Sequence, residues 1–472
     1  MAIKPKHILP RKFIDDTSKL NEIILFKIHY NISYFLIFVN TRPNFTVKLN
    51  TFQYQLYELY KLLTLYFMSD QYGYDNEKIN IIMLNMSSFW DWDHGIVNRN
   101  YNVLHTLAKE DRIGKIIGVD FLPIGWKKAA KHYVQNILWE IKSAEMVYGD
   151  LTSACYQRTD KIYAYSTIDS IFSFKKVAKE LKRIEKILNL KNIVFWSYNP
   201  IFTEFINHLN EKMFIFDTVD NWSEHPQYTK LISKTRLINN YKKIADKADL
   251  IFTVSDQLKD FYQEMDRQKD VHWIPNGVNF DLFNDPENLK LDTQINDLEN
   301  KIIGYFGTIE NRLDLDLIAK LAKDHKDKDI VLCGPIWPTI KHEFNKKISN
   351  LKNVHTTGRI PYNQAPSYIN RFDVAIIPHK TNNFIKSTNP MKMFEYLACG
   401  KPVVTTKGAG VDMFKDFMYI TNDHQQFSNY INQALKEDNL QLQAERREAV
   451  REHSWKARVD KMVDLMFKKL KT

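Results

Sequence analysis

One helical turn separates Lys392 from Glu395 in the stretch NPMKMFEYLACGKPVV (Asn389–Val404). Pro390 suits the first turn of a helix, Asn389 is its expected cap, and Gly400 stops it before a strand. Met393, Phe394 and Leu397 recur as a core-facing stripe. Lys392 is the exception, because a cation in a first turn faces the positive end of the helix dipole. That placement costs ~0.3–1 kcal/mol, and the cost disappears when an anion bridges the two. A diphosphate would do so, and Glu395 on the same face could accept hydrogen bonds from a ribose diol. A solvent-exposed Lys392–Glu395 pair, worth ~0.2–0.5 kcal/mol, explains the same spacing.

Other residues could share that chemistry. In YFGTIENRLDLDLI, Gly307 and Thr308 end a strand and a helix follows from about Leu313. A small residue there lets a phosphate approach the backbone amides, and Arg312 could add a bidentate contact. A tight turn with a surface arginine is the alternative. Neither GxGxxG nor GxxxxGK[ST] occurs, so there is no dinucleotide fingerprint and no P-loop. Asp220 and His225 follow the strand MFIFDT and face a cleft if the sheet order holds, where either could orient or deprotonate a hydroxyl. A surface-loop histidine is the plainer reading of His225, and Asp217 reads as a brace for the strand end. Trp90, Asp91 and His94 offer an aromatic face and a carboxylate suited to a sugar, or else a buried structural tryptophan.

These residues need a scaffold that alternates strands and helices. Short apolar runs (INIIMLNM, KIIGVD, NIVFWSY, MFIFDT, DLIFTVS) read as buried parallel strands, with IFTEFINHLNEK and RLINNYKKIADKA as helices between them. After a polar connection, Ile274–Asn300, a second series follows: KIIGYFGT, DIVLCG, DVAIIP and PVVTT. Alternation twice over predicts two doubly wound α/β domains facing a cleft. The expected divisions are an extension of unassigned role at 1–77, a first domain at 78–285, a second at 300–454 and a docking helix at 455–472.

The chain has 472 residues, 44% of them hydrophobic, enough for two or three domains. Three scattered cysteines build no disulfide framework or metal knuckle. The formal net charge of +10 favours an acidic partner: a phosphate-bearing ligand, an anionic membrane surface or nucleic acid. Dispersed lysines without an aromatic ladder argue against nucleic acid. MAIKPKHILPRKFIDD has no secretory apolar region, and Ile23–Val39 is too short and polar to span a membrane. GWKKAAKHYVQNILWEIKSAEMVYG reads as a basic amphipathic helix, with Lys127, Lys128, Lys131 and Lys142 cationic and Val134, Ile137, Leu138 and Ile141 apolar. It suits an anionic membrane surface or an ordinary solvated face. A cytoplasmic protein, at most peripheral on the membrane, is expected.

NPMKMFEYLACGKPVVTT resembles the donor-binding motif of family 4-type glycosyltransferases with the GT-B fold. ADLIFTVSDQLKDFY, WIPNGVNFDLF, IIGYFGTIENRLDLDLI, VLCGP, NVHTTGRIPYNQAPSYINRFDVAIIP and HSWKARVDKMVDLM follow in that family's order. WDWDHGIVNRNYNVLHTLAK and FIFDTVDNWSEHP resemble its cell-surface polysaccharide subgroup. The resemblance covers roughly Ile79–Leu470 and is weaker in the first half. It implies transfer of a sugar from a nucleotide diphosphate-sugar to a lipid-linked or glycan acceptor, with retention and without cofactor or metal. It implies that Glu395 binds the ribose, Lys392 the diphosphate, Gly307 and Thr308 the phosphate, with Arg312 assisting, and that the Arg359–Ile360 backbone pairs with the base. It places Trp90, Asp91 and His94 in an acceptor-binding loop, so the DxD spacing of Asp91–Asp93 is not read as a metal site. Many relatives carry an acidic residue for the transferred sugar where this chain has Ser387, which leaves the Thr388 or Asn389 amides for that task. An inactive nucleotide-sugar-binding scaffold and a nucleic-acid-modifying sugar transferase are the rival readings.

Overall fold

The computed structural model describes residues 78–121, 145–169, 173–225, 228–285, 293–408 and 410–471, with positions 130, 133, 134 and 287. The chain divides between Glu77 and Lys78. Residues 1–77 and nearly all of the expected basic helix lie outside the described residues.

Two sheets form the frame. The first contains β1 (Ile79–Leu84), β2 (Ile113–Asp120), β3 (Met146–Gly149), β4 (Ser153–Gln157), β5 (Ile162–Thr167), β6 (Ile193–Ser197), β7 (Met213–Thr218), β8 (Leu250–Thr253) and β9 (Val271–Trp273). Their order is β3-β4-β5-β2-β1-β6-β7-β8-β9. Pairing is parallel except in the β3–β4–β5 meander. The second contains β10 (Lys301–Phe306), β11 (Lys328–Cys333), β12 (Val354–Gly358), β13 (Val374–Ile377), β14 (Val403–Thr405) and β15 (Met418–Ile420), in the order β12-β11-β10-β13-β14-β15 and parallel throughout.

The strands are near-continuous apolar runs because helices cover both faces. β6 and β7 are buried along their whole length. Six helices matter for the site: α1 (Phe89–Asp93), α2 (Arg99–Leu107), α3 (Lys234–Lys247), α4 (Leu315–Asp324), α5 (Met391–Ala398) and α6 (Trp455–Leu470). In α6, Trp455, Val459, Met462, Val463 and Met466 are buried against the first sheet, in one cluster with Ile81, Met83 and Val103. The chain thus leaves the first domain near Asn276 and returns near Ser454. Where the two crossings meet, Val278 N donates to His453 O at 3.0 Å and Trp455 N to Val278 O at 3.1 Å. Gly277 permits the approach, since a Cβ there would stand 2.8 Å from the His453 carbonyl oxygen.

Three local expectations are corrected. IFTEFINHLNEK is not a helix: it makes one 3-10 turn at Thr203–Phe205, then places Asn207 and Asn210 in the left-handed region (φ 65° and 53°). The Glu211 carboxylate accepts from the Asn207 and Leu209 amides, offering the backbone an alternative to helical bonds. The stretch ending AEMVYG closes in a strand, β3, because the β4 edge pairs with it. Finally, Asn389 does not cap α5. Pro390 occupies that position, and no side chain accepts the first-turn amides.

Candidate functional site

Between the carboxyl ends of the two sheets lies a cleft of about 390 Å³. Gly307, Thr308, Arg312, Arg359, Ile360, Asn389, Lys392 and Glu395 line it on one side, and Asp220 and His225 on the other. Ser387 is not in the lining: its hydroxyl donates to Phe384 O at 2.8 Å, and its carbonyl accepts from Ser255 Oγ at 2.8 Å.

Lys392 rises from the open N-terminus of α5. The Asn389 side-chain oxygen that could have capped the helix accepts instead from the Asn276 amide at 3.0 Å, while the Asn276 side chain donates to the Asn389 carbonyl at 2.6 Å. The Met393 amide meets the Pro390 carbonyl at 3.3 Å, and no side chain takes the amides before it, which leaves the positive end of the helix to the cleft. The Lys392 ammonium lies 5.2 Å from the centre of the Tyr305 ring and makes no hydrogen bond among the described residues. Burial first, then the Arg312 charge, push its pKa down to about 8. Gly307 (φ 143°) lets the lysine close on the end of β10, for a Cβ there would meet Lys392 Cε at 3.0 Å. The next amide, of Thr308, carries no hydrogen bond among the described residues. One cation, an uncapped helix and a free strand-end amide thus converge, which is the chemistry of a phosphate site.

Glu395 accepts a 2.8 Å hydrogen bond from the Tyr362 hydroxyl through one oxygen, and the other has no hydrogen bond among the described residues. Burial raises its pKa, against the Tyr362 bond and the Lys392 charge. Arg359 is drawn across the cleft mouth, donating to His94 O at 2.8 Å. Arg312 does not meet the cleft as a bare cation, because Nε and Nη2 both contact Glu310 Oε1, at 2.6 and 2.5 Å.

On the opposite wall, burial raises the pKa of Asp220 and lowers that of His225 to about 4, so the imidazole is neutral near pH 7. The His225 ring lies 4.6 Å from Tyr228 and meets the edge of Phe384 at 4.6 Å, across the cleft. Asp217 does brace its strand end, through a fully buried 2.9 Å ion pair with Arg99. Arg99, at the start of α2, also contacts Pro275 O and Asn276 Oδ1 at 3.3 Å, tying the first domain to the crossing segment.

Trp90, Asp91 and His94 are not in the cleft lining. Asp91 completes a capping box with Ser88 at the start of α1, and Trp90 stacks on His94 with ring centres 4.1 Å apart. Their local geometry is that of a helix end beside the cleft mouth, where Arg359 reaches the His94 carbonyl. The two carboxylates of DWD also part company, since Asp93 pairs with Arg158 at 2.8 Å. Arg99, Asn276 and Glu310 were not visible as cleft residues from the sequence. The chemistry of each depends on partners far along the chain or in a loop without a regular period.

Residues 314–464 match the glycosyl transferase-like family. A relative, the putative teichuronic acid biosynthesis glycosyltransferase TuaH of Bacillus subtilis (strain 168), is 24% identical over 282 residues, covering 56% of this chain and 69% of that protein. Similar solved structures include a sucrose-phosphate synthase from Thermosynechococcus elongatus (TM-score 0.62, 14% identity, 83% of this chain and 99% of that one). Anabaena Alr3699/HepE in complex with UDP-glucose gives a TM-score of 0.59 at 13% identity, over 82% and 99% of the two chains. A trehalose-phosphate synthase from Burkholderia vietnamiensis gives 0.59 at 12% identity, over 84% and 100%. The chain has the GT-B fold, and its residues 314–464 match the model of the glycosyl transferase-like family.

Proposed function

We propose that this protein transfers a sugar from a nucleotide diphosphate-sugar to a lipid-linked or polysaccharide acceptor, with retention and without a metal ion. The observation that carries the reading is Lys392: a half-buried cation with no hydrogen-bond partner among the described residues, above an uncapped helix and beside Gly307. The bond between the anomeric carbon and the diphosphate oxygen breaks, and negative charge grows on that oxygen. Lys392, the first-turn amides of α5 and the Thr308 amide are preorganised to meet it. The acceptor hydroxyl oxygen bonds the anomeric carbon, and its proton leaves toward Asp220, with neutral His225 orienting the hydroxyl. Glu395 takes the ribose diol, and the Arg359–Ile360 backbone pairs with the base.

The acceptor reading draws support from the TuaH match, a protein whose name assigns it to teichuronic acid biosynthesis. Among the described residues no helix is long and apolar enough to cross a membrane. With the net charge of +10 and the Lys127–Lys128–Lys131 cluster, this supports peripheral action on the cytoplasmic face. The testing experiment is a panel of uridine, guanosine, adenosine and thymidine diphosphate-sugars, scored for thermal stabilisation and donor hydrolysis. At least one should raise Tm in wild type and not in Lys392→Ala. No stabilisation by any of them would contradict the reading.

A further inference from the structure

Inside this cleft one carboxylate has no task in the mechanism above. Glu310 stands in the loop between β10 and α4, lines the cleft, and keeps about a fifth of its side chain exposed. Both contacts from Arg312 fall on Oε1, so Oε2 has no partner among the described residues. The Arg312 guanidinium lies 5.9 Å from the centre of the Phe384 ring, and Phe384 receives the edge contact with His225. Glu310, Arg312, Phe384 and His225 therefore form a chain from the donor wall to the opposite wall.

The chemistry of transfer fixes what must lie along that chain. The moving sugar sits between its leaving diphosphate, at Lys392 and Gly307, and the acceptor, at Asp220 and His225. The loop carrying Glu310 starts at the phosphate end, at Thr308, and its Arg312 carbonyl accepts from the Lys380 amide at 2.8 Å, which anchors its far end. Ser387 presents no side chain to the cleft. We infer that Glu310, held in place by Arg312, reads the hydroxyl groups of the donor sugar through its free oxygen, and so selects a neutral sugar over a uronic acid. A carboxylate accepts hydrogen bonds and cannot give them, so a hydroxyl-bearing sugar satisfies it. A uronate would bring a second acceptor-only anion against Glu310 and Asp220, while the nearest guanidinium is already engaged. Like charges at such range exclude the wrong ligand by repulsion.

The inference rests on the donor site proposed above, and the test separates the two. Dissociation constants are measured by titration calorimetry for a nucleoside diphosphate, its glucose conjugate and its glucuronate conjugate, on wild type, Glu310→Gln and Glu310→Asp. The nucleoside diphosphate should bind all three proteins within about twofold, which also shows that the variants fold. Wild type should bind the glucose conjugate at least tenfold more tightly than the glucuronate conjugate. Glu310→Gln should weaken the glucose conjugate about tenfold and narrow that gap, and Glu310→Asp should recover part of the preference. Equal weakening of all three ligands in Glu310→Gln would mark a merely structural role and overturn the inference. So would wild-type binding of the glucuronate conjugate as tight as that of glucose. Failure of every nucleoside diphosphate to bind wild type would overturn the donor site itself.

Discussion

At the scale of single residues, the proposed transfer asks different things of Lys392 and Glu395, although they stand one turn apart. Charge on the departing diphosphate increases as the glycosidic bond breaks, so the lysine acts most strongly in the transition state. Lys392→Ala should lower kcat by about 10²-fold, roughly 3 kcal/mol, by analogy with removal of one oxyanion donor. The ribose changes little during transfer, so Glu395→Gln should raise KM for donor and leave kcat nearly intact. Steady-state kinetics at saturating donor separates the two, and equal losses of kcat would contradict the assignment. The lowered pKa of Lys392 adds a pH signature. Below about 8 the free protein carries the ammonium ready for the diphosphate; as pH rises through that value the proton must be taken up on binding. Nucleoside diphosphate affinity should therefore fall as pH rises, by roughly tenfold one unit above the pKa. Lys392→Arg, which stays charged, should flatten the curve. Calorimetric titrations between pH 7 and 9.5 measure it. Lys392, Glu395 and Gly307 were legible because their chemistry is written in local spacing. Glu310 was not, since nothing in its neighbours announces which of its oxygens stays free.

At the scale of elements, the crossing segment governs how α5 is presented to the cleft. Asn276 removes the cap from α5, and Ser255 holds the Ser387 carbonyl, so the first domain shapes the open helix end that is proposed to meet phosphate. Gly277 is where the two crossings touch. Gly277→Ala should push the His453–Trp455 crossing away and lower stability by about 1–3 kcal/mol, readable as a shift in the denaturant midpoint. An unchanged midpoint would show that the crossings yield freely. Helix and strand existence was legible over long periodic runs such as Lys234–Lys247 and β7. The 201–212 stretch was not, because Asn207, Asn210 and Glu211 decide its backbone through side-chain bonds that hydrophobic periodicity does not encode.

At the scale of the whole molecule, Arg99 ties the first domain to the crossing segment while it forms a fully buried ion pair with Asp217 at the end of β7. Breaking one partner leaves a charge in the interior, so Arg99→Met should cost about 3–5 kcal/mol, and adding Asp217→Leu should restore most of it. Chemical denaturation of the two variants is the measurement. Membrane association belongs to this scale too. Reversing Lys127, Lys128 and Lys131 to glutamate should release the protein from anionic liposomes at low salt, since each lysine contributes about 1 kcal/mol near such a surface. Wild-type protein that never sediments with those vesicles would end that part of the account. The two-domain plan was legible from strand–helix alternation on either side of Ile274–Asn300, whereas the pairing of Arg99 with a residue 118 positions away could only come from the fold. The most direct test of the central claim is a crystal structure with a bound nucleoside diphosphate. The account predicts phosphate density against Lys392, the first-turn amides of α5 and Thr308, with the ribose on Glu395. A nucleotide seated against the Ser87–His94 loop, with the Lys392 side empty, would contradict it.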